Sequence, residues 1–105
     1  MENFNVVAPS EDVALVTAAF EGEYNLLISL INKGVNVDQQ DEYGSTALQW
    51  AANHGNPKMV ELLLSHGADV SIKDVEGKTA LYLAIDNGHM DVINLLSQVL
   101  ALKRL

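Results

Sequence analysis

A nucleophile and a base stand side by side at Ser65-His66. A hydroxyl next to an imidazole is the first ingredient of acyl-transfer chemistry, which also needs an orienting acid and a cleft. Adjacent residues on a helix diverge, so the pair is predicted to be polar surface. His54, His66 and His89 are the candidate zinc ligands, but their spacings do not converge on one ion. Asp41, Asp69 and Asp74 suggest a calcium loop, which would need ligands alternating along one run. Asp41 and Asp74 recur instead at a fixed period, and all three read as turn and hairpin residues. The expectation is no catalytic residue, no cofactor and no metal.

The charge balance excludes more. Six Lys and Arg against 14 Asp and Glu give a net charge of -8, a sign that repels phosphate backbones and anionic lipid heads. Nucleic acid and membrane are poor partners for it. No apolar run approaches the length of a membrane span, and Met1 to Pro9 lacks a basic stretch followed by an apolar core. Zero cysteines fit a reducing interior, so a cytoplasmic or nuclear location is expected. At 49% hydrophobic and 19% charged over 105 residues, the chain has the composition of one globular domain.

What would position any functional residue is a repeat. Sliding the chain by 33 residues, the interval from 41 to 74, pairs Asp41 with Asp74, Gly44 with Gly77, Thr46 with Thr79, Leu48 with Leu81, Ala51 with Ala84 and Gly55 with Gly88. Val60 meets Ile93, Leu62 meets Leu95 and Leu63 meets Leu96 in the same register. One period earlier, Gly22 meets Gly55, Gly34 meets Gly67 and Val37 meets Val70.

Each period opens with a turn, Asp41-Glu42-Tyr43-Gly44 or Asp74-Val75-Glu76-Gly77, with Gly where positive φ is wanted. Thr46 and Thr79 can cap a first helix that stops at Gly55 or Gly88. Asn56-Pro57 opens a second helix with an apolar face of Val60, Leu63 and Leu64, ending at Gly67. Helices this short cannot bury their faces alone and must stack on copies of themselves.

Gly-Ser-Thr-Ala-Leu at 44–48, Ala51-Ala52, Val-Glu-Leu-Leu-Leu at 60–64 and Gly-Ala-Asp-Val at 67–70 resemble the ankyrin repeat nearly position by position. The resemblance is strong over 41–96 and diverged over 10–40. It implies an all-α solenoid of stacked helix-turn-helix units with short β-hairpin loops. It also implies that Ser65 and His66 lie on a variable polar edge, and that His89 makes a local hydrogen bond. Two departures stand out. The family's Pro after the repeat Thr is Ala47 and Ala80 here, and its His two residues later is Gln49 and Tyr82. Gln49 can replace that histidine's hydrogen bond to the threonine; Tyr82 is not expected to.

The expected organisation is an extension over 1–9, a capping repeat over 10–40 with Ser10 as helix cap, a repeat over 41–73, and a last repeat over 74–105. In that last repeat Leu100 replaces the terminal Gly, so Met90 to Leu105 can run as one long helix. Asp91, Asn94, Gln98 and Ala101 give it a polar outer face. The rival reading is a piece of a longer array, or a self-associating unit, with Leu102 and Leu105 meeting a neighbour.

The resemblance implies recognition of another protein through hairpin tips and the concave side of the first helices. The residues placed there are Phe20, Glu21, Gln40, Glu42, Tyr43, Ser45, Asn53, His54, Val75, Glu76, Lys78, Asp86 and Asn87. Tyr43 and Phe20 are the anchor candidates, with burial between the first two repeats the alternative for Phe20. Trp50 is read as core. Asp38, Asp41 and Glu42, acidic without a nearby base, suggest a partner with a basic contact surface. The chain is expected to be monomeric.

Overall fold

The computed structural model describes residues 11–103, with side chains from 13 onward. Ser10, the extension over 1–9 and Leu105 lie outside the described residues, as do the acidic side chains of the first helical turn. Among the described residues six helices form three packed pairs: α1 (Glu11–Glu21) with α2 (Tyr24–Asn32), α3 (Ala47–His54) with α4 (Pro57–Ser65), and α5 (Ala80–Asp86) with α6 (Met90–Lys103). The pairs stack so that α3 lies between α1 and α5 in an inner row, while α4 packs on α6 in an outer one. There is no strand among the described residues.

The helix boundaries follow from local chemistry. Thr46 Oγ1 accepts the Gln49 amide at 3.1 Å, and Gln49 Oε1 accepts the Thr46 amide at 2.9 Å. That reciprocal pair satisfies two otherwise free donors at the start of α3. Gln49 thus takes the place of the expected histidine, whereas Thr79 receives the Tyr82 amide with no bond in return from the Tyr82 side chain. Asn56 Oδ1 caps α4 at the Met59 amide, with Pro57 at the first helical position. Where Gly67 ends the helix pair of the middle repeat, Leu100 lets α6 continue to Lys103. Asp91, Asn94, Gln98 and Ala101 are exposed along it.

The inner row is held together by small side chains. Ala18, Ala47, Ala51, Ala52, Ala80 and Ala84 are all fully or almost fully buried, which lets neighbouring backbones approach closely and pack to crystal-like density. Leu15, Leu27, Leu48, Met59, Leu63 and Leu96 fill the space behind them, each worth about 1.5–3 kcal/mol of transfer free energy. Ile85 departs from the pattern of the middle repeat. It is exposed, although its counterpart Ala52 is buried, because it faces outward at the end of the described stack.

Candidate binding groove

The turns between repeats aim their tips over the inner helices. Asp41 Oδ1 accepts the amides of Tyr43 and Ser45, both at 2.9 Å. The Asp41 amide donates to the Ser45 carbonyl, and Gly44, at φ 74, donates to Asp41. Asp74 repeats this with the amides of Glu76 and Lys78. The Val75 amide then donates to the Tyr43 carbonyl at 3.0 Å, tying one tip to the next. A Cβ on Gly44 would meet the Val75 nitrogen at 3.0 Å, so this close approach also requires glycine.

Between the tips and the inner helices lies an open groove of about 690 Å³. Phe20 of α1, Trp50 of α3 and Leu83 of α5 line it together with Tyr43 and Val75 of the two turns. Phe20 meets Trp50 edge to face, with ring centroids 4.7 Å apart, a favoured aromatic geometry. Phe20 is 50% exposed, Tyr43 57% and Val75 73%, so much apolar surface faces solvent in one depression. Burial of Phe20 between the first repeats is thereby set aside.

The expected contact residues divide into three groups. Phe20, Tyr43, Asn53, Val75 and Glu76 line the groove. Glu21, Gln40, Glu42, His54, Asp86 and Asn87 are exposed around it. Several of these are engaged internally. Gln40 Nε2 donates to the Gly44 carbonyl at 2.7 Å, and Asn87 Nδ2 donates to Asn53 Oδ1 at 2.8 Å. Lys78 is half-buried, ion-paired with Glu76 at 3.2 Å and set over the Tyr82 ring. Ser45 is corrected in part: it lines the groove, but at 7% exposure it is a buried turn residue whose amide and carbonyl both bond to Asp41.

Trp50 is a second correction. It packs against the core but is only half-buried, and its indole edge opens on the groove, with Nε1 donating to Asp41 Oδ2 at 3.0 Å. Asp41, expected there only as part of the acidic hairpin, also lines the groove, and Asp74, Val16, Thr17 and Leu83 line it without having been expected there. The signal for Trp50 and Leu83 was present in the sequence, since they differ at the same repeat position.

Electrostatics sharpen the acidic rim. Both Asp41 oxygens are occupied, and Asp38 Oδ1 accepts the Asp69 amide at 2.8 Å. These two acids hold the frame, so the outward charge of the tips rests on Glu42 and Glu76. Hydrogen bonding to Glu42, together with its negative charge, raises the Tyr43 hydroxyl above its ordinary value. Lys78 is raised by its hydrogen bond and ion pair to Glu76.

Ser65 and His66 come closer than neighbours on a helix were expected to, with Oγ 3.3 Å from Nδ1. The Ser65 hydroxyl donates to the Leu62 carbonyl at 2.7 Å, and Nδ1 faces the same carbonyl at 3.0 Å. Nδ1 must carry its proton to make that bond, so it cannot take one from Ser65. His89 bonds across repeats, Nε2 to the Asn53 carbonyl at 2.9 Å. His54 packs against the Phe20 and Trp50 rings. No described helix is long and apolar enough to cross a membrane.

Three stacked helix pairs with turns projecting over an inner row define a helical-repeat solenoid with a concave face. The chain matches the family model for ankyrin repeats (3 copies) over residues 14–101 and belongs to the ankyrin-repeat family. Over 34 residues it is 50% identical to the ankyrin repeat domain-containing protein SAT10 of Stachybotrys chartarum, a stretch covering 32% of this chain and 2% of that protein. Members of the family are generally non-catalytic modules for protein–protein interaction.

Proposed function

We propose that this chain is a non-catalytic docking module that holds a segment of a partner protein in the groove beneath its tips. The observation that carries this reading is the clustering of Phe20, Tyr43 and Val75, each at least half exposed, along one 690 Å³ depression. Exposed aromatics set in a concave, internally bonded frame are the usual anchors of an interface, since they bury large area at small entropic cost. Glu42 and Glu76 on the rim favour a partner with a basic contact surface. An interior compartment, cytoplasm or nucleus, fits the absence of cysteine.

Affinity capture from lysate tests the reading, using the native chain beside a Phe20→Ala, Tyr43→Ala, Val75→Ala variant whose fold is verified by urea melting. Partners held by the groove should be lost, each anchor contributing on the order of 1–2 kcal/mol. Undiminished recovery on the variant would sink it.

Self-association is the second reading. It draws on Tyr82, Ile85, Met90 and Leu102, which are exposed on the last repeat. Its measurement is mass in solution, with a dimer that dissolves on polar substitution of Leu102 and Ile85.

A further inference from the structure

The two tips are built alike but differ in one bond. In the middle repeat, Asp41 uses Oδ1 for the turn amides and Oδ2 for the Trp50 indole. One period on, Asp74 occupies the place of Asp41 and Leu83 the place of Trp50. Asp74 Oδ1 takes the turn amides as before, but leucine has no donor to offer. Among the described residues, Asp74 Oδ2 is left without a hydrogen bond, on a carboxylate that lines the groove.

The surroundings of that carboxylate have one sign and one texture. Asp41, Asp74 and Glu76 line the groove, and no Lys, Arg or His does. The nearest cation on the same turn, Lys78, already pairs with Glu76. Most of the remaining wall is aromatic and aliphatic, Phe20, Trp50, Tyr43, Val75, Val16 and Leu83, with the neutral polar residues Thr17, Ser45 and Asn53 among them. A ligand group matching this site must be cationic, must donate a hydrogen bond, and must tolerate desolvation against ring faces. Guanidinium meets all three conditions, being planar, weakly hydrated and able to stack while donating in its plane; ammonium is compact and strongly hydrated.

Resting on the docking reading above, we infer that the groove recognises an arginine of the partner segment, which donates to Asp74 Oδ2 where the middle repeat has its indole. The substitution of Leu83 for tryptophan is what opens the position. The groove then selects for arginine over a neutral side chain of equal shape, and over lysine.

The test is a nuclear magnetic resonance titration of the ¹⁵N-labelled full chain with a short blocked alanine peptide carrying one central arginine. Peptides with lysine, or with citrulline as the neutral isostere, are compared. The arginine peptide should shift the Trp50 indole and Val75 amide signals and bind about fivefold more tightly than the citrulline peptide. Asp74→Asn keeps an Oδ1 acceptor for the turn and should erase that preference. Leu83→Trp should erase it too, by supplying the internal donor. Glu61→Gln, an equal charge change on the exposed side of α4, should leave it intact. Urea melts of each variant establish that it is folded.

Equal binding of the arginine and citrulline peptides, an equal loss in Glu61→Gln, or no shift up to about 10 mM peptide each overturn the assignment. If partner capture still depends on Phe20 and Tyr43 in that event, docking in the groove stands and the arginine assignment alone falls. If the peptide preference holds while capture ignores the groove variant, it is the docking reading that fails.

Discussion

The side-chain amide of Gln49 donates to the Ile72 carbonyl at 2.8 Å and reaches the Lys78 carbonyl at 3.2 Å. One buried residue thus caps its own helix and anchors the arm of the following turn. Gln49 is 1% exposed, so its removal strands acceptors that water reaches poorly. Gln49→Ala is expected to cost about 2–4 kcal/mol, read as a lower urea midpoint at unchanged slope. A loss below about 1 kcal/mol would mean that solvent replaces those bonds.

The twin aspartates supply an internal comparison. Asp41 accepts three hydrogen bonds and Asp74 two. Asp41→Ala should therefore destabilise more than Asp74→Ala, by about 1 kcal/mol. Trp50→Phe, which removes the indole donor and keeps an aromatic ring, should account for most of that gap. Equal losses from the two aspartate variants would show that the indole bond contributes nothing net.

Two glycines separate backbone strain from crowding. Gly22 and Gly55 both have positive φ, 75 and 70, but a Cβ on Gly22 meets nothing within 4 Å, whereas one on Gly55 would strike the His89 ring. Gly22→Ala is expected to cost about 1 kcal/mol from φ alone. Gly55→Ala should cost at least about 2 kcal/mol, since His89 must also leave the Asn53 carbonyl. Thermal melts of the pair decide the matter, and similar values would exclude crowding.

Acid sensitivity has a local source at Asp69. The Ser71 hydroxyl donates to Asp69 Oδ1 at 2.6 Å and the Ser71 amide at 2.8 Å, which holds the carboxyl below its ordinary value. A depressed folded pKa stabilises above the unfolded value and is lost as pH falls through the folded one. Ser71→Ala should bring the Asp69 titration, followed by carboxyl carbon shifts, back toward 3.8 and remove that contribution in the acid limb. An unmoved titration would leave the Ser71 amide and the charge of Lys103 as the causes.

At the alkaline end Tyr43 behaves in the opposite sense. Its raised hydroxyl contributes stability below the unfolded value that is lost as pH rises through the folded one. Glu42→Gln removes both the carboxylate acceptor and its charge, so phenolate absorbance should appear at lower pH, closer to 10.0. No change would place the cause outside Glu42.

The repeat frame was legible because backbone conformation is encoded locally. Thr46, Gly55, Asn56-Pro57 and Gly67 specify starts and stops within a few residues, and α3 and α4 run where those signals put them. Partner choice between repeats was not legible. Ser45 varies between repeats, which suggested a contact residue, yet its amide and carbonyl are both committed to Asp41. Asp38 looked like free charge, but it binds an amide 31 positions away. Trp50 fits a packing position, and although its difference from Leu83 was visible in the sequence, the direction of its polar edge into the groove was not.

The groove draws Phe20 from the first helix pair, Trp50 and Asn53 from the second, and Leu83 from the third, although each pair packs chiefly on its immediate neighbour. An occupant lying along it touches all three units at once and acts as a splint. Under the proposed docking, such an occupant would resist movement of the first helix pair against the third, two units that are joined mainly through the middle one.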